Sequence, residues 1–206
     1  MLSGLLTTII AVVVVGGCDD AEAPIQPPIH DLAEPWQAAP FDVDPAVIAE
    51  AQRACLDPDG GGLPNGAMPI VLVDARGANH LYLLFAAGGN DAQCFVERQA
   101  GGAFFVDGGS STLGGNARAV LPRNGIEFGG AGSQSGSAPG QPGDTKSFAS
   151  GRVGDGIAVV EIVLGNNTSL RASLNRGWFA AWWPTGDSVN VVRGYDASGT
   201  LIGTTP

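Results

Sequence analysis

From Lys146 to Ile202 the chain alternates short apolar runs with clusters of turn residues, and this rhythm limits the fold more than any other feature. The runs span 146–153, 156–164, 169–174, 177–183, 188–196 and 200–202. Between them lie Gly165-Asn166-Asn167-Thr168, Asn175-Arg176, Pro184-Thr185-Gly186-Asp187 and Ala197-Ser198-Gly199. Short strands at such spacing form an antiparallel meander rather than βαβ units. The same pattern precedes them at 69–74, 79–86, 92–99 and 103–107, broken by Arg76-Gly77, Gly88-Gly89-Asn90-Asp91 and Gly101-Gly102. Weaker strand signals follow at 117–121 and 125–128. Residues 129–144 carry no large apolar side chain and read as a flexible Gly/Ser/Pro loop.

One helix stands apart from this pattern. Asp44 is a good N-cap, Pro45 suits the first helical position, and the Ala-rich run to Leu56 places Val47, Ile48, Ala51 and Cys55 on one face. It must end before Asp57-Pro58-Asp59-Gly60-Gly61-Gly62. The expected class is therefore mainly β: an antiparallel β-sandwich or partly open barrel with one short N-terminal helix. With 32 Gly and 14 Pro among 206 residues yet 44% apolar types, the chain is turn-rich and still able to build a core.

The amino terminus speaks to location. Leu5 to Val15 is nearly continuously apolar and runs into Val15-Gly16-Gly17-Cys18, which resembles the lipobox of bacterial lipoprotein precursors. The resemblance implies a signal peptide at 1–17 and a lipidated Cys18 as the mature amino terminus. Met1 to Thr8 lacks the Lys or Arg of an ordinary export signal. Residues 18–59 hold ten acids against Arg53 alone, whereas the remainder is nearly balanced. The span 18–43, with five prolines, then reads as an acidic tether, solvated and repelled by anionic headgroups. A net charge of −10 also argues against nucleic-acid binding.

Once Cys18 is assigned to lipid, Cys55 and Cys94 remain, and in an oxidising compartment they are expected to pair. Free buried thiols are the alternative; no C-x-x-C spacing favours redox chemistry. Asp74, Arg76 and His80 crowd around one turn, where an Asp–His bond could orient a base. The plainer reading is that Asp and Arg cap and solvate that turn. No zinc-ligand spacing surrounds His80, so no metal or other cofactor is expected. Asp57-Pro58-Asp59-Gly60 begins like a calcium loop, but its twelfth position is Met68. Nucleophile-elbow, phosphate-loop and zinc-protease motifs are absent.

The run Trp178-Phe179-Ala180-Ala181-Trp182-Trp183 is the most informative local feature. Alternation puts Trp182 and Trp183 on opposite faces. With one core face, Trp182 is expected inside and Trp183, beside Pro184, more exposed; the plainer alternative is that the helix or the 129–144 loop covers the outer indole. Trp183, Trp178 and Tyr195 thus form the candidate binding set, with an exposed indole able to stack on a sugar ring.

Several stretches resemble a group of exported or lipid-anchored proteins of high-GC Gram-positive bacteria. They are Arg53-Ala54-Cys55, Val73-Asp74-Ala75-Arg76-Gly77, Cys94, Gly151-Arg152-Val153-Gly154, Asn175 through Pro184, and Tyr195-Asp196-Ala197-Ser198-Gly199. The similarity covers about residues 44–203 and implies a single β-rich domain over 44–206 on the outer face of a membrane, without implying a reaction. The expected role is a non-enzymatic binding, sensory or structural module that meets an envelope ligand or protein partner. The alternative is an extracytoplasmic hydrolase centred on Asp74, Arg76 and His80.

Overall fold

The computed structural model describes residues 32–57, 68–112, 119–136 and 144–205. Cys18, the segment 1–17 and the tether up to residue 31 lie outside the described residues, as do 137–143. The fold is mainly β, as expected. Helix α1 (Pro45–Leu56) is followed by β1 (Ile70–Ala75), β2 (His80–Ala87), β3 (Asn90–Arg98), β4 (Phe104–Thr112), β5 (Ile126–Gly136) and β6 (Asp144–Val153). Then come β7 (Val159–Leu164), β8 (Ser169–Arg171), β9 (Ser173–Asn175), β10 (Trp178–Trp183), β11 (Val189–Tyr195) and β12 (Leu201–Thr205). They form three antiparallel sheets, ordered β1-β2-β3-β4, β5-β6-β10-β9 and β12-β11-β7-β8, referred to below as the first, second and third.

Helix α1 starts where its sequence dictates, with Asp44 Oδ1 accepting the Ala46 amide at 2.7 Å. Its buried Ala51 and Cys55 pack on Leu81, Leu83, Phe85, Cys94 and Val96 of the first sheet. Cys55 and Cys94 are disulfide-bonded, with Cα atoms 6.0 Å apart. Closing a loop of 39 residues is worth about 3–4 kcal/mol by chain entropy, so the bond fastens the helix to the sheet it covers.

The three sheets are layered, and the middle one is covered on both faces. Ala180 and Trp182 join Tyr82, Leu84 and Phe95 of the first sheet in one core. Phe179, Ala181 and Trp183 join Val160, Ile162, Leu164 and Val192 of the third sheet in another. Trp183 is therefore not the exposed residue expected from a two-layer sandwich: it is 1% exposed, and Trp182 is 0%. Trp182 and Trp183 do point to opposite faces, but the face of Trp183 is covered by a sheet rather than by the helix or the 129–144 loop.

Three further expectations are corrected. Residues 129–144 are not simply a loop, because β5 runs to Gly136 and pairs with β6 from Ile126↔Val153 to Gly136↔Asp144. Such a strand can be built without large side chains because its neighbour supplies them. A Cβ on Gly132 would lie 2.6 Å from the ring of Phe148, which occupies that space. The expected strand 169–174 is two strands: β8 pairs with β7 in the third sheet and β9 with β10 in the second. Residues 119–121 form no strand.

Packed chain also extends upstream of Asp44. Leu32 is buried, the Ala78 and Asn79 amides donate to the carbonyls of Glu34 and Leu32, and the Gln37 and Phe41 amides donate to those of Arg76 and Ala75. Gly77, at φ +90°, makes the approach feasible; a Cβ there would sit 2.3 Å from the Glu34 oxygen. Residues 32–41 thus form a strap along the end of β1, where the sequence reading placed the outer end of the tether.

Candidate functional site

The structure separates Asp74 and Arg76 from His80. Asp74 and Arg76 are fully buried and joined at 2.8 Å through Oδ2 and Nε. Asp74 Oδ2 also accepts the Trp182 amide at 3.0 Å, and Oδ1 accepts the Ser173 hydroxyl at 2.7 Å. Arg76 donates through Nη1 to the Ala38 carbonyl and through Nη2 to the Arg171 carbonyl, each at 2.5 Å. The pair therefore braces the first sheet, the strap and the β8–β9 corner. Its polar atoms are committed to protein partners, and His80 makes no hydrogen bond to Asp74. The geometry of a base oriented by Asp74 is not formed.

His80 belongs to another cluster. Its Nδ1 is hydrogen-bonded to the Ala78 carbonyl, and its ring stacks on Phe95 with centroids 5.3 Å apart. Nε2 lies 3.3 Å from Glu97 Oε2. Lys146, reaching across from β6, places Nζ 2.8 Å from Asp107 Oδ2 and 3.6 Å from Glu97 Oε2. Burial, seconded by the positive charge of Lys146, holds the His80 imidazolium below its ordinary pKa, although Glu97 acts in the opposite direction. Ligand atoms of His80, Glu97 and Asp107 lie within 4.8 Å of one another, so these are the side chains among the described residues placed to share a cation.

At the other end of the layer between the first and second sheets, Trp178 stands between two cavities of about 300 and 250 Å³. The first is lined by Asp91, Gln93, Ser110, Phe148 and Ser150 together with Trp178. Gln93 is held in place as an acceptor from the Tyr82 hydroxyl and as a donor to Ser110 Oγ at 2.5 Å. Burial pushes the Tyr82 phenol above its usual pKa, keeping that hydroxyl protonated and available as a donor. The second cavity is bounded by Arg152, whose guanidinium lies 5.8 Å from the Trp178 ring centroid. Arg152 is itself oriented by Glu127 at 3.2 Å and the Ala119 carbonyl at 2.9 Å.

A larger space of about 860 Å³ lies between the strap, β1 and the β8–β9 corner. Two of its polar groups are already engaged there: the Arg171 carbonyl holds Arg76, and Asn175 donates to the Val71 carbonyl at 2.8 Å. The Trp178 cleft has the better combination of aromatic walls and convergent polar side chains.

Of the residues selected from sequence, Trp178 alone lines this cleft. Trp183 is core, its Nε1 donating to the Asp187 carbonyl at 3.0 Å. Tyr195 belongs to the third sheet, donating its hydroxyl to Glu161 at 2.8 Å. Sequence reasoning missed Asp91, Gln93 and Glu97, although a signal was present. Alternation along β3 puts Asp91, Gln93, Phe95 and Glu97 on one face and Ala92, Cys94 and Val96 on the other. No family model, curated protein or solved structure matches this chain.

Proposed function

We propose that this chain is a cell-envelope lipoprotein whose folded part is a non-enzymatic binding domain, taking a small hydroxyl-rich ligand of sugar-like shape into the Trp178 cleft. The observation that carries this reading is the 300 Å³ cavity walled by Phe148 and Trp178 and edged by Asp91, Gln93, Ser110 and Ser150. Aromatic rings cover the apolar face of a sugar, while amide, hydroxyl and carboxylate groups bond its hydroxyls. A volume at the lower end of the range for ligand sites suits one ring rather than a long chain. The engagement of Asp74 and Arg76 in a structural brace favours binding over the hydrolase alternative.

Trp178→Ala is expected to weaken retention on envelope glycans at least about tenfold, the loss of about 1.4 kcal/mol or more that follows when an anchor is removed. Isothermal titration with purified cell-wall saccharide fragments measures it. Equal affinity of variant and wild type would remove the cleft from consideration.

The anchor has its own test. Cys18→Ser should move the protein from the membrane to the soluble or unprocessed fraction, because the diacylglyceryl thioether has no other attachment point. Unchanged membrane fractionation, with an intact amino terminus in the wild type, would replace the lipid anchor by a retained apolar segment.

A further inference from the structure

We propose that His80, Glu97 and Asp107 form a binding site for a divalent transition-metal ion, and that Lys146 is the competing cation that holds the two carboxylates in the metal-free state. The three residues are distant in sequence but brought together by register. His80 pairs with Glu97 across β2 and β3. On β4, Phe95↔Gly108 is followed by Val96↔Val106, so Asp107 is the additional residue of a β-bulge. Bulges redirect side chains, and this one sends the Asp107 carboxylate to Lys146 on the facing sheet.

A backbone carbonyl can only accept, so the bond from His80 to Ala78 puts the proton on Nδ1 and leaves Nε2 with a lone pair. That lone pair faces Glu97 Oε2 at 3.3 Å, itself an acceptor. The His80 side chain is 9% exposed, and among the described residues Nε2 has no partner in hydrogen-bond geometry. Around His80 one ammonium is shared by two carboxylates.

A metal ion would engage the Nε2 lone pair and both carboxylates at once. An Nδ1–H bonded to a carbonyl is the usual outer-shell support of a metal-binding imidazole. One imidazole and two carboxylates suit Zn²⁺, Mn²⁺ or Co²⁺ better than Ca²⁺, which takes six or more oxygens. Tetrahedral ligands at about 2.0–2.2 Å from zinc are about 3.4 Å apart, so atoms now within 4.8 Å must close by at most about 1.4 Å. Glu97, at 35% exposure, has the freedom to make that movement. Lys146 must release Asp107 as the ion enters, which makes removal of its charge a gain-of-binding change.

The experiment uses the folded, chelator-stripped chain, titrated calorimetrically with Zn²⁺ and examined by electron paramagnetic resonance with Cu²⁺ as a spectroscopic probe. One equivalent should bind, with hyperfine coupling to an imidazole nitrogen. His80→Gln should weaken Zn²⁺ binding at least about tenfold and abolish that coupling, whereas Lys146→Met should tighten binding at least about tenfold. Circular dichroism checks that each variant is folded; should His80→Gln fail to fold, Asp107→Asn serves as the ligand deletion. Retention of wild-type affinity and nitrogen coupling in His80→Gln would assign binding to His30, the other histidine, and overturn the proposal. Absence of stoichiometric binding in both wild type and Lys146→Met would overturn it equally.

Discussion

Replacing Asp74 by alanine is expected to cost about 3–5 kcal/mol of folding stability, the range for removing one partner of a buried ion pair. The loss is large because three groups are orphaned together. Arg76 keeps a buried guanidinium without its counter-charge, the Ser173 hydroxyl loses its acceptor, and the Trp182 amide is left unbonded. That amide lies beyond the short β9 ladder, which reaches only Ala180↔Ser173. Asp74 therefore continues the edge of the second sheet with a side chain where no strand is available.

Arg76→Ala should have a comparable cost for a complementary reason: it frees the Ala38 and Arg171 carbonyls and leaves the buried Asp74 carboxyl without its counter-charge. The double variant should cost clearly less than the sum of the two, since each single change exposes the other member of the pair. Chemical denaturation of all four proteins measures this coupling. An Asp74→Ala loss below about 1 kcal/mol would contradict a fully desolvated brace, because even surface ion pairs reach that value.

The brace also shows where sequence reasoning ran out. Helix α1 was legible from Asp44, Pro45 and the spacing of Ala51 and Cys55, because capping and helical periodicity are local. The alternation of β10 was legible for the same reason. What covers each face is a non-local matter: nothing within Trp178 to Trp183 says that sheets lie on both sides. Likewise Asp74 and Arg76 looked like turn residues, since their partners are Ala38, Arg171, Ser173 and Trp182. Glycine-rich β5 carries no strand signal of its own, because its bulk comes from Phe148 on the neighbouring strand. The candidate sites suffered most: the Trp178 cleft draws on two sheets, and His80, Glu97 and Asp107 come from three strands of the first sheet faced by Lys146 of the second. A polar face on β3 marked that something lay there, but neither Lys146 nor Trp178 could be assigned to it from spacing.

Trp182→Ala and Trp183→Ala should each cost about 3–5 kcal/mol, because both indoles are enclosed and each truncation leaves a cavity between two sheets. Against a typical total of about 5–15 kcal/mol, either loss is a large fraction of what holds a domain folded. Phenylalanine substitutions then separate the two layers. Trp183 gives its Nε1 proton to the Asp187 carbonyl, so Trp183→Phe forfeits a hydrogen bond as well as volume. The buried Trp182 Nε1 has no partner among the described residues, and an unsatisfied donor of this kind carries a penalty of about 1–3 kcal/mol that phenylalanine removes. Trp182→Phe should therefore be the milder change, its lost volume partly offset, while both alanine variants shift the denaturation midpoint strongly. Near-wild-type stability of Trp183→Ala would mean that the third sheet does not cover β10. The three-layer arrangement would then give way to the two-layer one that the chain's alternation alone suggests.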